Sequence, residues 1–175
     1  MKILKKYLIP TFLLGFYSCS AQIPADRARC QNPEFDKKVA SYINFSVKTV
    51  SPNDVKKMPE ALILDAREPA EYNVSHLPNA VNCGYNNFDK KNWEKTPKDT
   101  PIVIYCSIGY RSEKVGEKLQ KMGFTKVFNL YGSIFEWVNQ GNPVVDNQGN
   151  ATPKVHTYNR SWSKWVEQGK AEKIW

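Results

Sequence analysis

Pro101-Ile102-Val103-Ile104-Tyr105-Cys106-Ser107-Ile108-Gly109-Tyr110-Arg111-Ser112 decides how this chain reads. A short apolar run ends at a cysteine, and a turn containing glycine follows. From Ser112 to Met122, the apolar residues Val115, Leu119 and Met122 recur at four- and three-residue spacing. The run reads as a buried strand and the recurrence as one face of a helix, with Gly123 as its C-cap. Cys106 is therefore expected at the carboxyl end of a strand, on a tight loop that opens a helix. Open α/β sheets gather their chemistry at that position. N–H groups at a helix start favour an anion, and a thiol there, beside Arg111, ionises more readily than free cysteine. The candidate site is a Cys106 thiolate facing a small anion, with Ser107, Ile108, Gly109, Tyr110, Arg111 and Ser112 around it.

Outward from this stretch, Ala61-Leu62-Ile63-Leu64-Asp65 and Val127-Phe128-Asn129-Leu130 repeat the pattern of strands buried on both faces. Val47–Val50 and Ala80–Asn82 are shorter strand candidates. Asn32-Pro33-Glu34 and Ser51-Pro52-Asn53-Asp54 carry helix-start signals, predicting helices to about Ile43 and Met58. Further helices are expected at Glu68–Tyr72, Phe88–Lys95 and Ser133–Asn139. Strands alternating with helices predict an α/β fold, a mostly parallel central sheet flanked by helices on both faces. The domain is placed at residues 30–145. Residues 146–175 form an aromatic extension, with a helix at Ser161–Gln168 carrying Trp162, Trp165 and Val166 on one side. It is expected to pack on the domain; the alternative is an exposed patch for a partner.

The 175 residues are 41% hydrophobic and 24% charged, a globular rather than disordered composition. The formal net charge is +8, but the lysines are scattered and no arginine-rich run exists. That argues for small anions and against a nucleic-acid partner. Residues 1–21 read as a signal peptide: Met1–Lys6 is charged, Tyr7–Phe16 is mostly apolar, and small residues follow. The apolar run is short for a membrane span. Cleavage falls either before Cys19, with the cysteine lipidated, or after Ala21. Both predict export, to the periplasm or as an outer-membrane-anchored lipoprotein touching the membrane only through that lipid.

Cys30, Cys83 and Cys106 then remain, an odd number, and Cys106 is the natural free thiol. A disulfide between Cys30 and Cys83 is open and not decided by spacing. No C-x-x-C pair occurs, so no metal is expected, and nothing calls for an organic cofactor.

Three separated pieces resemble the rhodanese-like (sulfurtransferase) family. They are Asp65-Ala66-Arg67-Glu68-Pro69-Ala70-Glu71-Tyr72 with Ser75-His76-Leu77-Pro78-Asn79-Ala80, the loop Cys106–Ser112, and Gly132-Ser133-Ile134-Phe135-Glu136-Trp137. The resemblance implies a sulfane-sulfur carrier. Cys106 would take sulfur from thiosulfate or a persulfide, hold it as Cys–S–S⁻, and pass it to a thiol or cyanide. The partners implied are a small sulfur-containing anion and a thiol acceptor, with Asp65 and Arg67 in support. Ser75, Asn79 and Ser133 stand where the family has glycines, and Ser107 where thiosulfate-using members often carry a basic residue. His76 and Tyr110 read as turn and wall residues rather than acids or bases. Four residues separate Cys106 from Arg111, one fewer than the loop of cysteine phosphatases, which argues against a tetrahedral phosphate. The competing readings are a non-enzymatic binding module, with Trp162 and Trp165 as contact surface, and a redox pair of Cys83 with Cys106.

Overall fold

The computed structural model describes residues 23–175. The expected signal segment and Cys19 lie outside them. Five strands form one parallel sheet: β1 (Lys48–Val50), β2 (Leu62–Asp65), β3 (Val81–Asn82), β4 (Ile102–Tyr105) and β5 (Val127–Leu130), in the order β1-β5-β4-β2-β3. Helices α1 (Pro33–Ala40), α2 (Pro52–Val55), α3 (Pro69–Val74), α4 (Tyr110–Lys121) and α5 (Ser133–Asn139) connect and cover it. The expected fold class is the one observed. β4 is central and wholly buried, as its apolar run requires.

Side chains of β4 alternate between the two faces. Val103 and Tyr105 join the core with Phe35, Leu130, Ile134 and Phe135. Ile102, Ile104 and Cys106 join the core with Val115 and Leu119 of α4. Gly116 lets α4 approach the sheet: a Cβ there would meet Val47 Cγ2 at 2.9 Å. Cys30 belongs to the first core and Cys83 packs on the second, so the sheet separates them, and all three described cysteines are free thiols.

Several helices differ from expectation. α1 stops at Ala40 rather than Ile43, and α2 is one turn, ending at Val55 rather than Met58. Phe88–Lys95 holds only a 3-10 turn at Lys90–Trp93. α4 starts at Tyr110, earlier than Ser112, because Gly109 is its N-cap and its carbonyl already accepts Glu113 N–H. The helix expected at Ser161–Gln168 is a 3-10 turn, Ser163–Trp165. Asn139 is the reason: its Nδ2 donates to Trp165 O at 2.8 Å and its Oδ1 accepts Glu167 N–H at 2.9 Å. Those are backbone groups a longer helix would need for itself.

Beyond the sheet, β6 (Val144–Val145) pairs with β7 (Ala151–Thr152), and β8 (Lys154–His156) with β9 (Glu172–Ile174). β8 lies against α3. Trp165 stacks on Phe35 at 5.5 Å between centroids, and Trp162 meets Tyr42 edge-on at 5.3 Å. Both tryptophans are half-buried rather than an open patch.

Candidate active site

Cys106 follows β4 and is 1% exposed. Its Sγ accepts Gly109 N–H at 3.2 Å, and the Ser112 hydroxyl lies 3.6 Å away. Gly109 has φ +126°, a backbone state that side chains rarely adopt, and this turns the amide inward to the sulfur. Burial opposes ionisation of the thiol. The charge of Arg111 and the amide and hydroxyl donors of Ser112 and Gly109 outweigh it and hold the thiol below its ordinary 9.0.

Asn129, on β5, holds the loop from below. Its Nδ2 donates to Gly109 O at 2.9 Å and its Oδ1 accepts the Ser112 hydroxyl at 2.7 Å. That hydroxyl has one hydrogen, and the shorter bond claims it. The amide donors and the Arg111 charge therefore do most to favour the thiolate. Ser133 accepts Cys106 N–H at 3.0 Å and donates to Leu130 O at 3.0 Å. It does so at φ +52°, the left-handed backbone that suits the glycine expected at this place. Asn79, the second of the replaced glycines, also has positive φ, +62°.

Arg111 is a brace. Its Nη1 donates to Glu71 Oε2 at 2.6 Å, and its Nη2 to Glu71 Oε1 at 2.8 Å and Ser107 Oγ at 2.9 Å. Three of its five N–H groups are used in this way, and Nε–H and one Nη1 hydrogen are left without a protein partner. Ser107, expected around the anion, accepts from Arg111 and turns its own hydrogen toward Glu71 Oε1 at 3.4 Å. Behind this pair, fully buried Arg67 is held by Asp65 through bonds of 2.6–3.0 Å and donates to Ser75 O at 2.6 Å. Glu71 feels both guanidinium charges. Burial pushes its carboxyl up, and Arg111 foremost draws it below the ordinary value. Alternating charges thus run Asp65, Arg67, Glu71, Arg111, Cys106.

A cleft of about 510 Å³ opens over the sulfur. Cys106, Ser107, Ile108, Tyr110 and Arg111 line it, together with Tyr42, Glu68, Tyr85 and Asn86 and two residues of the extension, Tyr158 and Trp162. The Arg111 guanidinium lies 5.4 Å from the Tyr158 ring centre. The sulfur side chains keep apart in character. Burial and the Asp65 charge push the Cys83 thiol up to about 12, and its Sγ donates to Asp65 O. Burial pushes the Cys30 thiol far up beside Glu136. His76 stacks on Tyr72 at 3.9 Å and bridges to Val145 through the backbone, a structural position. No cluster of potential metal ligands occurs among the described residues.

The whole loop is legible in the sequence, whereas Glu71, Asn129, Tyr158 and the wall residues Tyr42 and Tyr85 join the site only in the fold. Glu71 was within reach, since a buried arginine beside a thiolate demands a carboxylate partner. Asn129 carried no signal within a strand.

A parallel sheet carrying a cysteine on a tight loop between its central strand and a helix, backed by an Asp–Arg pair, defines a rhodanese-like domain. The chain belongs to this family: the model for the rhodanese-like domain matches residues 51–140. It is 43% identical over 83 residues to a tRNA uridine(34) hydroxylase of Onion yellows phytoplasma, covering 45% of this chain and 27% of that protein. With the tRNA uridine(34) hydroxylase of Salmonella newport it shares 32% over 126 residues, 65% of this chain and 34% of the relative. The chain thus spans about a third or less of these relatives. Among solved structures, a Bacillus halodurans protein aligns with TM-score 0.54 and 21% identity over 67% of this chain and 89% of that one. The polysulfide-sulfur transferase homodimer of Wolinella succinogenes aligns with TM-score 0.51 and 22% identity, over 65% and 88%. At these identities the structures speak to fold alone.

Proposed function

We propose that this protein is a sulfurtransferase that carries sulfane sulfur as a persulfide on Cys106. The observation that supports it most is the Cys106 sulfur itself: depressed thiol, Gly109 N–H on Sγ, Arg111 behind, and a cleft above. The thiolate is the attacking form, and lowering its pKa keeps it populated near neutrality. A persulfide is anionic too, so the same donors stabilise it, and no general base is required. The family membership agrees with this reading. The hydroxylase activity of the relatives belongs to proteins of which this chain spans 27–34%, and it is not carried over. The charged and apolar segment before residue 23 supports the reading that this is an exported protein.

The redox-pair reading has less support, because Cys83 holds its proton to about pH 12 and bonds inward to Asp65. The test is incubation with thiosulfate, inorganic polysulfide and glutathione persulfide, followed by intact mass and peptide mapping. One added sulfur on Cys106, lost to a thiol, is expected. No added sulfur with any donor would sink the proposal.

A further inference from the structure

The cleft over Cys106 is much larger than an inorganic sulfur anion needs. Its volume of about 510 Å³ falls among sites that take organic ligands, about 300–1,000 Å³. Five of its eleven lining residues are aromatic. Tyr42, Tyr85 and Tyr110 come from the domain, while Tyr158 and Trp162 come from the extension beyond the family match.

The charge of the cleft does not suit a dianion. Arg111 is the one cation among the lining residues, and the two-bond fork to Glu71 offsets its charge, although its Nε–H and one Nη1 hydrogen have no protein partner. Glu68 adds a carboxylate to the wall. The second negative charge of thiosulfate would find no further cation among the described residues that line the cleft. A single negative charge at the reacting sulfur, in contrast, meets Gly109 N–H and the field of Arg111.

Tyr158 carries a backbone observation of its own. Its φ is +67°, an outlier for so bulky a residue, and its N–H donates to His156 Nδ1 at 3.1 Å. Strain of this kind persists where the surroundings over-determine it, and it collects at functional sites. Here β8 is anchored on α3, and Tyr158, 54% exposed, borders the cleft beside Arg111.

We infer that the sulfur donor is an organic persulfide, R–S–SH, whose apolar body stacks on this aromatic wall, with the C-terminal extension as the specificity element. The inference rests on the persulfide chemistry proposed above and names its substrate class. The Cys106 thiolate attacks the terminal sulfur. A Cys106 S–S bond forms as the donor's S–S bond breaks, the electron pair leaves on R–S⁻, and the proton stays on the transferred sulfur. No external oxidant or reductant enters the balance.

The test follows Cys106 persulfide by intact mass against time with benzyl persulfide, cysteine persulfide, inorganic polysulfide and thiosulfate at equal concentration. Benzyl persulfide is expected to load fastest, about tenfold over cysteine persulfide, an advantage typical of aromatic packing. The ratio of benzyl to inorganic polysulfide rates should fall in Tyr158→Ala and in Trp162→Ala. A ratio taken within one preparation cancels any loss of folded protein. Thiosulfate as the fastest donor, equal rates for the two organic persulfides, or a ratio unmoved by both substitutions overturns the inference and leaves sulfur transfer standing. Loading by none of the four overturns the persulfide chemistry and the inference with it.

Discussion

Glu71 and Arg111, forty positions apart, close a two-bond fork of 2.6 and 2.8 Å beside the Cys106 loop. α3 brings the carboxylate and α4 the guanidinium, so the fork ties together the two motif segments that follow neighbouring strands. It also offsets the Arg111 charge inside the protein while leaving the guanidinium edge on the cleft.

Glu71→Gln should cost about 3 kcal/mol at neutral pH, the low end for a broken buried pair because Arg111 also faces the cleft. The pH sign follows from Glu71 lying below its ordinary 4.5: desolvation opposes this, and Arg111 overcomes it. The pair's contribution is fully present above the unfolded value and is lost as pH falls through the folded one. Urea unfolding of both proteins at a series of pH values checks this. A gap between them as wide at pH 3 as at pH 7 would contradict it.

Cys106 should be the first thiol alkylated by iodoacetamide near neutral pH, with a rate midpoint below 9.0. Cys83, pushed up to about 12, and buried Cys30 should lag. Thiolate rises with pH, so removing the Arg111 charge in Arg111→Gln moves the Cys106 midpoint upward. Labelling rates read peptide by peptide decide the matter, and a Cys106 midpoint at or above 9.0 counts against it.

Asn129→Leu removes the partner of both Gly109 O and the Ser112 hydroxyl. Two buried polar groups lose their bonds, a loss of about 2 kcal/mol. Persulfide loading should slow by about tenfold as the Gly109 amide loses its aim. Unfolding midpoints and loading rates measured together test this; an unchanged loading rate would show that the loop holds itself.

Gly132→Ala should destabilise by about 3 kcal/mol. Gly132 has φ +69°, and a Cβ there would meet Glu136 Cβ at 2.6 Å and Cys30 Sγ at 2.7 Å. Gly123→Ala is the comparison, with φ +92° and nothing within 4 Å. It should lose only the backbone share, about 1–2 kcal/mol. Equal losses for the two would remove the packing explanation.

The sheet strands were legible because their signals are local: β2, β4 and β5 are short apolar runs bounded by turn residues. The loop was legible for the same reason, since Cys106, Gly109 and Arg111 stand within six residues. The Ser161–Gln168 segment was misread as a helix because its aromatic spacing does fit one. Asn139, some twenty-five residues earlier, takes the backbone groups that such a helix would use.

The sequence by itself determined the class of sheet, the cysteine, and the tightness of its loop, because apolar runs, a glycine and a short spacing are properties of neighbouring residues. Only the tertiary structure decided what Arg111 is for and what faces Cys106. Glu71, Asn129 and Tyr158 reach the site from other elements of the fold. Their effect depends on distances that chain order does not encode: a charge is free or spent, and a cleft is polar or aromatic, only once distant segments have packed.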